Sequence, residues 1–382
     1  MLSASLVACG GSGAGSNPPS AAPSAAATTA PSVAASLPAS AAASAPASAG
    51  ASAGSTDATG KVAFLLPDNT TPRWTSQDGP SFEKWMKQLA PNVQVITNVA
   101  NNDPQQQLSQ AQAAIAQGAK VLVVVAVDGT QAAKIVETAN AANVPVVAYT
   151  RQIQSPNVKY MIGDDPGEIG KALGTWTMAN TKDGDTIAVI AGSTTDSFAH
   201  LERDGWMSVL KPAFDSSSRK LVGDVWTPGW DPVKAHGLMD AILTSTQNNI
   251  QAVLAANDST AEGSIASLKT HGLAGKIPVT GIDATLSADK LILQGLQSMS
   301  VWRSVDDEAK YTSQIVVNLL TGTAPPADFF TSTVTLGGAS IPMKAVPSIV
   351  IDKTNMQTLI DAGAISKAEL CNGIPAGTGP CN

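Results

Sequence analysis

Residues 121–127, Val-Leu-Val-Val-Val-Ala-Val, are apolar without a break. Seven residues are too few to cross a membrane as a helix, and as a strand they offer no polar face to water. Both faces must be covered, which points to a parallel strand with helices above and below. The flanking sequence agrees. Strand-like runs at 62–66, 93–99 and 144–149 alternate with helical patterns at 82–89, 103–118 and 130–143. Asp103-Pro104 opens the second of these helices with a side-chain cap and a residue whose missing N–H is not needed there, and Gly118 ends it. Such alternation specifies a doubly wound α/β domain.

The pattern then restarts. Strands are expected at 160–163, 186–191, 221–226, 252–256, 277–282 and 298–302, with helices at 167–180, 198–210, 231–246, 260–271, 286–296 and 306–320. A strand at 348–351 and a helix at 356–362 complete one of the two units. The chain of 382 residues has room for two such domains. Trp85, Trp176 and Trp206 sit at apolar helical positions and read as core, and Trp226 as packing.

The stretch 10–56 is different. It is almost entirely Ala, Ser, Pro, Gly and Thr, with no charged residue. Too few large apolar side chains are present to offset chain entropy, so it reads as a flexible linker with a reach of about 40 Å. Cys9, in Leu6-Val-Ala-Cys-Gly10, lies directly before it. Those residues resemble a lipoprotein lipobox, which implies cleavage before Cys9 and lipidation of its thiol. Cys371 and Cys381 are close in sequence and can form a disulfide in an oxidising compartment. The histidines, His200, His236 and His271, are not at metal-ligand spacing. A net charge of −7 argues against a nucleic-acid surface, and no run of about 18 apolar residues suggests a spanning helix.

In open parallel sheets, ligands bind beyond the carboxyl ends of the strands. The polar residues at those ends are Asp68, Arg73-Trp74, Asn101-Asn102, Asp128, Arg151, Asp196, Trp230, Asn257-Asp258, Asp283 and Arg303. Two facing domains would bring them to one cleft.

Several of these loops, in order, resemble the xylose-binding proteins of bacterial ABC importers. They are Pro67-Asp-Asn-Thr-Thr-Pro-Arg-Trp74, Asn101-Asn-Asp-Pro-Gln-Gln-Gln-Leu-Ser-Gln110, Gly192-Ser-Thr-Thr-Asp196, Val225-Trp-Thr-Pro-Gly-Trp230, Ala255-Ala-Asn-Asp-Ser-Thr-Ala261 and Gly281-Ile-Asp283. The resemblance spans about residues 60–325. It implies a type I periplasmic binding protein: two doubly wound parallel-sheet domains joined by a three-segment hinge that closes on the ligand. The expected division is 1–9 as a truncated lipoprotein signal, 10–59 as linker, 60–163 plus 303–326 as the N-terminal domain, and 164–302 plus 327–382 as the C-terminal domain. The resemblance places ligand contacts at Arg73, Trp74, Arg151, Arg203, Trp230, Asn257 and Asp283. Thr150, Asp196 and Arg303 join them as residues of the same loops. Planar Asn, Asp and Arg side chains bracket neighbouring sugar hydroxyls, and the C–H faces of a sugar ring pack on indoles.

Three positions depart from the family pattern. Thr150 stands where an Asp is common, Ser197-Phe198 where a pair of Asn is common, and Arg303 where a Lys is common. Four arginines then face one strong candidate carboxylate, Asp283. Buried guanidinium groups need partners. Asp196, Asp164, Asp258 or an anionic ligand would serve. A pentose other than xylose, a sugar alcohol and a sugar acid all stay open.

No Gly-x-Ser-x-Gly elbow, Walker loop or Cys–His pair is present, so catalysis is not expected, and neither is a cofactor or metal. The expected role is an extracytoplasmic, lipid-anchored, monomeric protein that passes a sugar to an ABC permease and its ATPases. The alternatives are a sensor that presents its sugar-bound closed form to a receptor, and the effector domain of a sugar-responsive repressor. The absence of a DNA-binding segment before the folded part counts against the last.

Overall fold

The computed structural model describes residues 57–381. Cys9 and the whole Ala/Ser/Pro-rich stretch 10–56 lie outside the described residues. Five parallel strands, in the order β5-β4-β3-β1-β2, form most of the first sheet: β1 (Gly60–Leu66), β2 (Val93–Val99), β3 (Ala119–Val124), β4 (Val146–Tyr149) and β5 (Tyr160–Gly163). The apolar run behaves as its composition requires. Residues 121–126 are buried, alternating between one core with Ile135 and Val146 and another with Phe64 and Phe82.

The second sheet holds β6 (Thr186–Ala191), β7 (Lys220–Trp226) and β8 (Ala252–Ala255), parallel and in the order β7-β6-β8. It is sandwiched by two further cores, one around Trp206, Ile187 and Met299 and one around Met239, Ile190 and Val279. Strand β9 (Met299–Arg303) extends this side. The helix Val305–Thr321 then returns to the first core through Ile315 and Val316. A hairpin of β10 (Ser332–Leu336) and β11 (Ala339–Ala345) follows, and β12 (Ser348–Asp352) crosses back to pair antiparallel with β9. The chain therefore passes between the two sheets three times: after β5, after β9 and after β11.

Two expectations need correction. The expected division gives residues 327–382 to the C-terminal unit, but β11 pairs parallel with β5, so the hairpin extends the first sheet. Its tight connection is Gly337-Gly338, both with positive φ, as a primed two-residue turn requires. The expected strand 277–282 makes only isolated bridges, Val279 to Val253 and Ile282 to Val301. Pro278 has no N–H to give, and the Thr280 hydroxyl takes ladder bonds instead, accepting from Ala255 N at 3.0 Å and donating to Ala255 O at 2.9 Å. Trp206 is fully buried as expected, whereas Trp85 and Trp176 are half-buried.

Candidate functional site

A cavity lies at the carboxyl ends of the strands of both sheets. It is narrow, about 30 Å³, with its walls close together. From the first sheet come Thr71 and Trp74 after β1, and Thr150 and Arg151 after β4. The second side supplies Asp196, Phe198, Trp230, Asn257 and Asp283, backed by Ala256 and Ile282. Arg303, at the end of β9, enters from the hinge.

Each side chain has a local reason for its place. Trp230 closes the turn Thr227-Pro-Gly-Trp with φ 57°, and its ring lies over Gly192, where any Cβ would come within 2.2 Å of it. Its indole N–H donates to Asp196 Oδ2 at 3.1 Å. Thr150 has φ 52° and packs on Gly163, whose missing Cβ would lie 2.9 Å from Thr150 Cα. Asn257 caps the helix Asp258–Thr270 with its carboxamide oxygen, leaving its NH2 group for the cavity. Asp283 has φ 104°, a region costly for a residue with a side chain and found mostly at working sites.

Eight of the ten expected ligand residues line this cavity: Trp74, Thr150, Arg151, Asp196, Trp230, Asn257, Asp283 and Arg303. Two do not. Arg73 is buried behind the wall. Its guanidinium bonds Asp78 at 2.6 and 2.9 Å and Glu308 at 2.8 Å, and reaches Asp283 at 3.4 Å. Arg203 is partly exposed on the helix Ser197–Asp215 and pairs with Asp224, stacked beside Trp226. Phe198, at the position where the family commonly has Asn, lines the cavity as an apolar wall; Thr71 lines it without having been named as a contact, and Asp78 and Glu308 carried no sequence signal of their role.

The expected surplus of arginine disappears. Arg151 Nε lies 2.7 Å from Asp196 Oδ2, and Arg303 Nε lies 2.5 Å from Asp164 Oδ2 while its Nη2 reaches Asp283 at 3.2 Å. Three buried arginines thus meet five buried carboxyls: Asp78, Asp164, Asp196, Asp283 and Glu308. Burial pushes the Asp283 and Asp196 carboxyls up, and the neighbouring arginines pull them part of the way back. Burial likewise lifts Glu308, to about 7. Burial opposes the charge on Arg73, but Asp78 and Glu308 outweigh it and hold the guanidinium firmly protonated.

The wall also carries donors without a partner in the protein. Thr71 Oγ1, Trp74 Nε1 and Arg303 Nη1 are buried and unbonded. Each such group costs about 1–3 kcal/mol unless something polar meets it. Trp74 is the less open of the two indoles, with the Arg73 and Arg151 guanidiniums 4.5 and 5.2 Å from its ring centre. The cavity can therefore bracket a small polyhydroxylated molecule between hydrogen-bonding edges and aromatic faces. Among the described residues no cluster of side chains fits a metal, and no helix is long and apolar enough to cross a membrane.

Comparison with known proteins gives concordant results. Residues 62–324 match the family model described as periplasmic binding protein domain. The chain is 33% identical over 311 residues to the D-xylose-binding periplasmic protein of Escherichia coli K12, covering 81% of this chain and 92% of that one. It is 32% identical over 328 residues to the multiple sugar-binding periplasmic receptor ChvE of Rhizobium radiobacter, again covering 81% and 92%. Among solved structures, an ABC transporter solute-binding protein of Clostridium phytofermentans with bound β-D-glucose superimposes with a TM-score of 0.74 at 28% identity, covering 81% of this chain and 99% of that one.

Proposed function

The chain belongs to the periplasmic binding protein family, with the type I fold, and from that premise we propose that it is the extracytoplasmic substrate-binding component of an ABC-type sugar importer. Like its relatives it is a binding protein and not an enzyme. Its ligand is a neutral monosaccharide of pentose-like size, or a close relative, held in the cavity between the two sheets. The observation that carries this reading is the wall itself: Thr71 Oγ1, Trp74 Nε1 and Arg303 Nη1 without partners, beside Trp230 and the Asn257–Asp283 pair. Hydroxyls satisfy donors and acceptors at once, and the apolar ring face meets the indole.

The charge pairing favours a neutral ligand over a sugar acid. Every arginine near the cavity already has a carboxylate, so an added anion would meet Asp283 and Asp196 rather than a free cation. The disulfide between Cys371 and Cys381, Cα to Cα 5.3 Å, suits an oxidising compartment. Lipidation of Cys9, tethering by the stretch that follows, action as a monomer and delivery to a permease with its ATPases belong to the same proposal.

A thermal-shift panel tests it, with D-xylose, D-ribose, D-glucose, myo-inositol and D-xylonate at rising concentration. A ligand at 100 times its dissociation constant adds about 2.7 kcal/mol, which is several degrees for domains of this size. One or more neutral sugars should shift the melting point and D-xylonate should not. A flat response to all carbohydrates would sink the reading, and a response to D-xylonate alone would overturn the neutral-ligand part.

A further inference from the structure

Asp258 does not line the cavity, yet it is fully buried, and its carboxyl bonds Thr285 on the loop that carries Asp283, Ser300 that holds that loop, and Gln297. Its backbone N–H donates to Ile282 O at 3.0 Å. Its Oδ2 accepts from Thr285 N at 2.8 Å and from the Thr285 hydroxyl at 3.2 Å. Its Oδ1 accepts from Gln297 Nε2 at 2.9 Å and from the Ser300 hydroxyl at 2.8 Å. Ser300 Oγ in turn accepts from Ala284 N at 2.9 Å. The peptide groups on both sides of Asp283 are therefore tied to one residue, the first to the Asp258 backbone N–H and the second to its carboxyl through Ser300.

This bonding explains a backbone that is otherwise costly. Asp283 and Ala284 have φ of 104° and 45°, the left-handed side that side chains disfavour. Such a turn persists only where its surroundings over-determine it. The space is also built for the purpose. A Cβ on Gly281 would fall 2.3 Å from Asp258 Oδ1 and 2.4 Å from Gln297 Nε2. Only glycine lets the clamp pass over this strand end.

We infer that Asp258, with Ser300 and Gln297, is a positioning group that holds the strained Asp283–Ala284 turn so that the Asp283 carboxyl faces the cavity. The inference rests on Asp283 being a ligand contact. It assigns Asp258 a role distinct from its neighbour Asn257, which lines the cavity itself. Asp258 shapes the site without touching what the site holds.

The test uses the full chain and three variants, Asp258→Ala, Asp258→Asn and Asp283→Asn. The probe is D-xylose, or the sugar of the panel above that shifts the wild type most. Asp258→Ala should weaken binding on the order of 10–100-fold, the range found for other groups that orient a contact from behind. Asp258→Asn should stay near wild type. The asparagine keeps an acceptor for Thr285 N, and its amide can donate to Ser300 Oγ in place of the Gln297 bond, while Gln297 Nε2 keeps its bond to Met299 O at 3.1 Å. A second readout needs no ligand. In free Asp258→Ala the Ala284 and Thr285 amides should exchange with deuterium faster than in wild type, while amides in β6 stay protected. Should Asp258→Ala fail to fold, Ser300→Ala removes the partner of Ala284 N and must show the same local exchange. Unchanged exchange at 284 and 285, or wild-type affinity in Asp258→Ala beside lost affinity in Asp283→Asn, overturns the clamp. Wild-type affinity in Asp283→Asn overturns instead the assignment of Asp283 on which it rests.

Discussion

Arg151 Nε sits 2.7 Å from Asp196 Oδ2, and the two residues follow strands of different sheets, β4 and β6. The pair spans the cavity, and both side chains are almost completely buried. Separating the two sides would let water reach Asp196, so the pair supports the closed arrangement more than it supports folding. Arg151→Ala leaves Asp196 buried without its cation when closed, a loss on the order of 3–5 kcal/mol. The expected outcome is a sugar affinity more than about 100-fold weaker by calorimetry. The ligand-free melting point should fall little. A large fall in melting point with unchanged affinity would mean that the pair serves the fold alone.

Arg203 and Asp283 separate two readings that look alike in sequence. Arg203 is spent on Asp224 outside the cavity, whereas Asp283 lies in its wall. Arg203→Ala should therefore leave sugar affinity within about twofold, as expected of an exposed position. Asp283→Asn should weaken it on the order of 10–100-fold, the loss of a charged hydrogen-bond acceptor. Titration of both variants with the same sugar checks this. Equal losses would return Arg203 to the site.

The contrast shows what a sequence can and cannot carry here. The strand-end rule found Trp74, Arg151, Asn257 and Asp283 because a loop's place in a parallel sheet is set by local pattern. It could not tell Arg73 from Arg303. One is consumed behind the wall by Asp78 and Glu308, 235 positions apart for the furthest partner, and the other keeps a nitrogen free at the cavity. Helical side chains are assigned to a face only when the packing is known, and in the structure Arg203 faces Asp224 outside the cavity. The β10–β11 hairpin went unread, although alternating residues flank Gly337-Gly338. Its sheet could not be read at all, because pairing with β5 joins residues some 180 positions apart.

The disulfide offers a prediction confined to one region. Cys371 and Cys381 close a short loop beside Ile351, Met356 and Leu370, none of which lines the cavity. Reduction should cost about 2–3 kcal/mol by the loop-entropy account. The melting point with a reductant should drop by several degrees, and sugar affinity should not change. A change in affinity would tie the C-terminal segment to the site.

Stability should fall as pH rises through neutrality. Burial holds the Asp258 carboxyl up to about 8 and Glu308 up to about 7, and it raises Asp196, Asp283, Glu202 and Asp289 as well. For a carboxyl whose pKa is higher folded than unfolded, the favourable contribution is complete below about pH 4 and is lost as pH climbs through the folded value. The window for Asp258 is thus from about pH 4 to about 8. The melting point should be higher at pH 5 than at pH 8, and Asp258→Asn should flatten part of that slope. A melting point that climbs steadily from pH 5 to pH 8 would refute the assignment.

Gly192→Ala tests whether the Trp230 ring is a wall of the site or only core. The added methyl would lie 2.2 Å from Cη2 and 2.3 Å from Cζ2 of that ring. The ring cannot retreat on its own terms: its N–H is bound to Asp196, and its backbone is fixed by the bond from Trp230 N to Thr227 O. It must tilt toward the cavity and give up the Asp196 bond. Overpacking of this kind costs about 1–3 kcal/mol, so the variant should still fold. Its tryptophan emission should change, and its sugar affinity should fall at least as far as that of Trp230→Phe, which keeps an aromatic face but loses the donor to Asp196. Normal affinity in Gly192→Ala would remove Trp230 from the binding surface and leave stacking to Trp74, whose ring already carries two guanidinium groups.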